Sequence, residues 1–419
     1  MAMMKTWLIR VALMFAAMLN AGAAIADEAA PIKIGTALDF SVLYTHLVPV
    51  YSQGQRDYVS LINGRGGIKG HPLELIIVDQ RNDVQLGLDA YQRFKREGAV
   101  LVDFLSTPVS RAVLPLALAD GMNVITLFHG RADAADGRVF PTIFPMVATY
   151  WSQAADLIKY IGDQEKELIK GKRIALVAID NPLGHEVEPI FQALAKRLEF
   201  RFEAFFYPPP GTDQGVAWKQ ARRFGPDWTL IWGAGDAQAH SIVEALAEGF
   251  KLDHVASNVS IAETDLDLAG RERAAGLLRF EGVASGRDIP IIAAIEKEVI
   301  AAGRGAGPPE RVGQTYYNAG VASMVLAAEG ARLALENDGE PLTPAKFKKG
   351  LERLRDFSAD DLLPPTTITA RDHQGGGRGR VVQWDGTKWL ERRHWFAAYQ
   401  DIVWDLIAKS SATFKAAPR

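Results

Sequence analysis

Five short polar segments carry side chains suited to holding a small solute. Three lie early in the chain: Asp39-Phe40-Ser41 with Tyr44 just beyond, Ser106-Thr107-Pro108-Val109-Ser110, and Thr126-Leu127-Phe128-His129-Gly130-Arg131. Two lie later, Asn181-Pro182-Leu183-Gly184 and Gly233-Ala234-Gly235. Hydroxyls, an amide and free backbone N–H groups at helix starts bind polar groups by hydrogen bonds, and helix N-termini favour carboxylates. Ser110 stands where an N-cap would stand before a helix at Arg111, so it either caps that helix or meets a ligand. Tyr44 either lines a cleft or packs as core. Arg131 either grips a carboxylate with its planar fork or sits in solvent. The Gly233-Ala234-Gly235 run opens like a dinucleotide fingerprint but lacks the third glycine. This is binding chemistry rather than catalysis: the chain has no H-E-x-x-H pair and no G-x-S-x-G elbow. His71, His129, His185 and His240 fall in separate segments without ligand spacing, and cysteine is absent, so neither a metal, a cofactor nor an enzyme activity is expected.

Each polar segment follows or ends a run that reads as a strand, and all but the Thr126–Arg131 segment precede one that reads as a helix. Pro31–Leu38, Leu73–Val78, Ala99–Leu105 and Asn123–Leu127 are the first strands, rich in branched residues. Helical spacing runs up to Leu61, over Gln85–Glu97 and over Arg111–Asp120. A second series follows, with strands at Lys172–Ile179, Phe200–Tyr207 and Trp228–Trp232. Its helices are Trp151–Ile169, His185–Leu198, Gly215–Phe224 and Ala237–Gly249. Strands alternating with helices predict parallel sheets covered on both faces. The fold class is therefore α/β: two doubly wound parallel-sheet lobes in tandem, meeting near Phe144-Pro145-Met146. Ligands bind beyond the carboxyl ends of such strands, so two facing sheets enclose one cleft.

The ends and the charge place the chain. Lys5 and Arg10 precede or open an apolar run to Leu19, and Ala24-Ile25-Ala26 follows before Asp27. This is the layout of a secretory signal over residues 1–26; the alternative is a buried or anchoring first helix. Without those residues 45 Lys and Arg face 50 Asp and Glu, a balance that disfavours nucleic acid or an anionic membrane as partner. Gly375-Gly376-Gly377-Arg378-Gly379-Arg380 accordingly reads as a flexible loop. With no cysteine to carry a lipid anchor, the exported protein is expected free in the periplasm, as a monomer. Its length predicts two domains.

The order and spacing of several motifs resemble the leucine/isoleucine/valine-type periplasmic solute-binding proteins of ABC importers. They include Ile32-Lys33-Ile34-Gly35, Leu61-Ile62-Asn63 with Gly66-Gly67-Ile68-Lys69-Gly70, and Ile76-Ile77-Val78-Asp79-Gln80. Ile143-Phe144-Pro145, Asp180-Asn181-Pro182-Leu183-Gly184, Pro226-Asp227-Trp228 and Tyr316-Tyr317-Asn318-Ala319 continue the series. The resemblance implies a three-strand hinge with crossings near residues 146, 284 and 360. Lobe one would hold 27–146 and 284–358, and lobe two 147–283 and 359–419, the latter with a hairpin of Val381–Trp384 and Trp389–Arg393. It also implies a small-molecule ligand, capture by hinge closure, and delivery to permease subunits in the inner membrane.

Two departures bear on the ligand. The family glutamate that binds an amino acid's ammonium falls on or near Ser260, with Glu263 a few residues late; the carboxylate-holding threonine falls near Gly130, beside His129 and Arg131. A carboxylate without an ammonium needs no buried anion in lobe two, because an unpaired buried charge is costly. Amino-acid-like solutes, aromatic or aliphatic acids and amides are all compatible, with Phe128 and Tyr44 as apolar walls. The expected function is a periplasmic substrate-binding protein; the alternative is a ligand sensor of the same fold that reports to a signalling partner.

Overall fold

The computed structural model describes residues 29–416; the expected leader, residues 1–26, lies outside the described residues. The first sheet is built from β1 (Ile32–Leu38), α1 (Val48–Gly64), β2 (Leu73–Asp79), α2 (Val84–Glu97), β3 (Leu101–Asp103), α3 (Thr107–Asp120), β4 (Asn123–Ile125) and β5 (Ile143–Phe144). Its strands are all parallel, in the order β2-β1-β3-β4-β5. Asn63 pins the first turn, its side chain donating to Leu73 O at 2.9 Å and accepting from Leu73 N at 2.8 Å. One face of this sheet packs with α2 and α3 through Tyr91, Phe94, Phe104 and Val113, which form a core of their own.

The second lobe contains α4 (Tyr150–Gln164), β6 (Arg173–Ile179), α5 (Pro182–His185), α6 (Glu188–Leu198), β7 (Arg201–Tyr207), α7 (Gly215–Phe224), β8 (Trp228–Trp232), α8 (Asp236–Ala247), β9 (Val255–Ser257), α9 (Glu263–Ala269) and β10 (Leu278–Glu281). The chain then returns to the first lobe with α10 (Pro290–Ile295), α11 (Thr315–Asp338) and α12 (Pro344–Leu351). Finally β11 (Gly379–Trp384) and β12 (Trp389–Phe396) complete a seven-stranded sheet, order β12-β11-β10-β9-β8-β6-β7. Strands β10, β11 and β12 are antiparallel neighbours, and Trp384 pairs with Trp389 across the hairpin.

Several local expectations shift. The third helix begins at Thr107 rather than Arg111, because Ser106 and not Ser110 is its N-cap. The strand before it ends at Asp103, since Leu105 adopts φ +39° and cannot continue the pleat. The run His185–Leu198 is broken in two, with Pro189 in the first turn of α6. Residues 371–373 still bond to lobe one: Arg371 O accepts from Gly137 N, and His373 Nδ1 lies 2.8 Å from Ile143 O. The chain thus meets the second crossing near residue 360, where Leu362 O accepts from Ala284 N at 2.8 Å, and touches lobe one again at His373 before entering β11. The closing helix α13 (Gln400–Ala416) touches both lobes, packing on the Ala132–Ala135 turn as well as on α4 and α6.

Helices α1 and α11 meet at reciprocal glycines. A Cβ on Gly54 would overlap Tyr317 O, and one on Gly320 would overlap Tyr51 O. Both positions need the missing side chain so that the backbones can touch. Gly54→Ala is expected to destabilise the fold by about 1–3 kcal/mol, the cost of overpacking a tight core, measurable as a lowered urea midpoint with an unchanged slope.

Candidate functional site

Between the lobes lies a cavity of about 40 Å³ lined from both sides. Lobe one contributes from three strand ends. After β1, Asp39 accepts hydrogen bonds from the N–H groups of Ser41, Val42, Leu43 and Tyr44 at 2.7–3.3 Å. This cage turns the loop so that Tyr44, Leu47 and Tyr51, spaced along one face, reach the cavity. After β3 come Leu105, Ser106 and Thr107, and after β4 come Phe128 and His129. Phe128 adopts φ +66°, a conformation costing a non-glycine residue roughly 1–3 kcal/mol and characteristic of functional sites. Tyr150 enters from the first crossing, and Thr315, Tyr316 and Ala319 from the start of α11. Lobe two supplies Leu183, Ala234, Val259 and Ser260.

Among the described residues no aspartate, glutamate, lysine or arginine lines this cavity, and no group of three His, Cys, Asp or Glu could hold a metal ion. Burial raises the phenols of Tyr44, Tyr51, Tyr150 and Tyr316, so all stay protonated. Burial likewise lowers His129 to about 4, leaving its ring neutral. Just beneath the lining, Asp103 accepts from Tyr51 Oη at 2.5 Å, and burial raises its carboxyl to about 6. A buried apolar cavity that admits benzene measures about 150 Å³, so a ring-sized solute would seat with the lobes further apart than here.

Of the residues expected at the site, Tyr44, Thr107, Phe128, His129, Leu183 and Ser260 line the cavity, and six others do not. Ser41 is exposed, turned away by the Asp39 cage. Ser110 lies inside α3 and lines a small separate void with Gly130 and Arg131. Gly130, at φ +90°, donates its N–H to Thr107 Oγ1 at 3.2 Å and so shapes the loop behind the lining. Arg131 is no carboxylate clamp: its fork is filled by Asp133 at 2.9 and 2.6 Å, and its plane lies over Phe140 and Phe414. Asn181 caps α5 by accepting from Leu183 N and Gly184 N, which aims Leu183 inward. Gly235 marks a close approach of the lobes, where a Cβ would press on Leu43 O and Tyr44. Glu263 is occupied as well, accepting from Thr315 N and Oγ1 at the start of α11.

The bulkiest of the missed lining residues are three tyrosines, Tyr51, Tyr150 and Tyr316. Tyr51 and Leu47 follow Tyr44 at helical spacing directly after a strand-end loop, a signal visible in the sequence. Tyr150 and Tyr316 stand at helix starts facing the cleft, where helical periodicity alone reads as core.

Charges close the cleft from its rim. Glu186 of lobe two pairs with Arg111 and accepts from Ala132 N at 2.8 Å, both in lobe one. His46 of lobe one bridges Asp236 at 2.7 Å and Asp265 at 3.3 Å. Tyr316 Oη donates to Ser260 O at 3.0 Å. Below the cavity Arg279 is fully buried, donating to Ile261 O, Thr315 Oγ1, Glu281 and Ser285 Oγ, and its guanidinium lies 4.1 Å from the Trp389 ring centroid. Burial pushes Glu281 up, but Arg279 and Arg380 together hold it below its ordinary range.

Two outcomes follow from the rim. Glu186→Ala removes charge-assisted bonds between the lobes and should weaken closure by about 2 kcal/mol, roughly thirtyfold, seen as a larger radius of gyration in small-angle scattering. The hydrogen bond to Asp265 raises His46 above its ordinary 6.5, against the opposing effect of burial. Its stabilisation is thus complete below pH 6.5 and lost as pH rises through the raised value. Thermal stability should fall over that interval, and His46→Gln should flatten the fall.

A family model described as periplasmic binding protein matches residues 31–388. A structure described as an ABC transporter permease from the Pseudomonas fluorescens group is 28% identical, covering 93% of this chain and 99% of that one, with a TM-score of 0.86. A valine-bound branched-chain amino acid ABC transporter protein from Thermus thermophilus is 16% identical, covering 90% and 98%, TM-score 0.77. A fatty acid ABC transporter substrate-binding protein from Thermomonospora curvata is 18% identical, covering 90% and 94%, TM-score 0.74. Among curated proteins none matches significantly.

Proposed function

The chain belongs to the periplasmic binding protein family, and from that premise we propose that it is the solute-binding component of an ABC importer. In this reading residues 1–26 direct export, the mature chain works in the periplasm, and closure around a small solute creates the surface that permease subunits recognise. The observation that carries it is the cavity between the lobes, lined by strand-end loops of both and bridged at its rim by Glu186 and His46. A solute that touches both lobes favours the closed state, since only differential affinity can shift such an equilibrium.

The lining narrows the solute. Its surface is mostly aromatic and aliphatic, with hydroxyls from Ser106, Thr107, Ser260 and Thr315. Neither Glu263 nor any other acid faces it, so a free amino acid's ammonium would be buried without a counter-charge. No lysine or arginine faces it either, so a carboxylate would equally lack a counter-charge, and amides and other uncharged aromatic or aliphatic solutes suit the cavity better than branched-chain amino acids do. The fold itself is compatible with both extremes, as the names of the valine-bound and fatty-acid relatives illustrate.

A thermal-shift screen over amino acids, aromatic and aliphatic acids, and amides tests the reading. A true ligand at a hundredfold its Kd should add about 2.7 kcal/mol of stability, together with compaction in small-angle scattering. Neither stabilisation nor compaction by any of the three classes would sink the proposal. Capture of the liganded protein by permease subunits, and not by a signalling receptor, is the expected second step.

A further inference from the structure

His129 has an open hydrogen-bonding position, and its chemistry is determined by its neighbour. Its Nδ1 lies 2.9 Å from Leu127 O. A carbonyl oxygen has no hydrogen to give, so Nδ1 must carry the proton and donate. In a neutral imidazole the other nitrogen, Nε2, is then an acceptor with a lone pair. Burial keeps the ring neutral. Nε2 is buried and has no hydrogen-bond partner among the described residues, in a side chain of a residue only 9% exposed that lines the cavity between the lobes. An acceptor so placed is costly unless something donates to it.

The backbone is arranged to hold the ring there. Phe128 at φ +66° and Gly130 at φ +90° reverse the chain on either side of His129. Gly130 N is tied to Thr107 Oγ1, itself on the cavity wall. Opposite stand lobe-two residues with hydroxyl or apolar surface and no charge. A cationic donor would thus satisfy Nε2 but leave its own charge unpaired.

Resting on the solute-binding reading above, we propose that the ligand presents an uncharged N–H or O–H donor to His129 Nε2 and carries no ammonium. His129 is then the residue that sorts neutral donors from shape-matched molecules without one, and from amino acids. The neutral ring cannot itself donate through Nε2, so a bare carboxylate or ketone oxygen aimed at it is repelled.

Shape-matched pairs at two sizes test this: acetamide against acetone, and benzamide against acetophenone, each differing by NH2 for CH3. Leucine and phenyltrimethylammonium serve as charged comparisons, all read by calorimetry and thermal shift on the mature full-length chain. The amide of at least one pair should bind about tenfold or more tightly than its ketone. His129→Phe should bring that ratio near one, and His129→Gln, whose amide oxygen can accept, should retain it. In the unliganded wild type, imidazole 15N spectra should show an unprotonated Nε2 at neutral pH, with its resonance moving upfield on saturation by the amide. A protonated Nε2, equal binding of ketone and amide, or preference for leucine or phenyltrimethylammonium would overturn the assignment while leaving solute capture intact. Binding by no probe of either kind, with no thermal shift, would overturn both readings.

Discussion

The arrangement of this molecule depends on one buried guanidinium. Arg279 sits within a central strand of the second sheet, without exposure, and spends its donors on its own strand and on three other segments. Ile261 belongs to the loop whose Val259 and Ser260 face the solute cavity, Thr315 begins the long helix of the first lobe, and Ser285 lies in a passage between lobes. Glu281 supplies the opposite charge and is shared with Arg380 of the hairpin. A buried ion pair is weak evidence of net stability, but losing one partner typically costs 3–5 kcal/mol because the other is left unpaired. That asymmetry makes Arg279 a register pin. It ties the strand, the binding loop, the passage and the opposite lobe to a common point, so none can shift alone.

Charge is otherwise divided by place. Ionised groups stand at the rim, where Arg111, Glu186, His46, Asp236 and Asp265 link one lobe to the other. Among the described residues the centre is lined only by neutral groups, four of them phenols kept protonated by burial. The division has a physical logic. Arg111 and Asp236 reach water and are solvated when the lobes part, whereas a charge at the centre would need a partner in every state, empty or filled.

Much of the architecture was legible because parallel α/β units write themselves plainly: branched runs of strand length, polar loops, then helical spacing. The boundaries failed where side chains overrode pattern. Leu105 reads as strand but is left-handed, which moves the start of the next helix back to Thr107 and transfers the cap from Ser110 to Ser106. At the site, half of the expected residues reach the cavity. Ser41 and Arg131 do not: Asp39 binds the backbone N–H of Ser41 and turns its loop outward, and Asp133 fills the fork of Arg131. Such local pairs are present in the sequence and compete with any ligand. The tyrosines at 150 and 316 were hidden for the opposite reason, since an aromatic on a helix is ordinary core unless one knows which end faces the cleft.

The neutral lining has a kinetic corollary. A solute without charge entering a cavity without charge feels no long-range field, so the encounter runs at the unassisted diffusive rate whatever the ionic strength. The subsequent clasping does involve ions, of which the pair of His46 with half-exposed Asp236 is screened and that of buried Glu186 much less so. Salt therefore acts on the second step and spares the first. In a compartment whose ions equilibrate with the surroundings, the protein would keep meeting its solute equally often in dilute and in saline water, while the time it holds on would shorten as salinity rose.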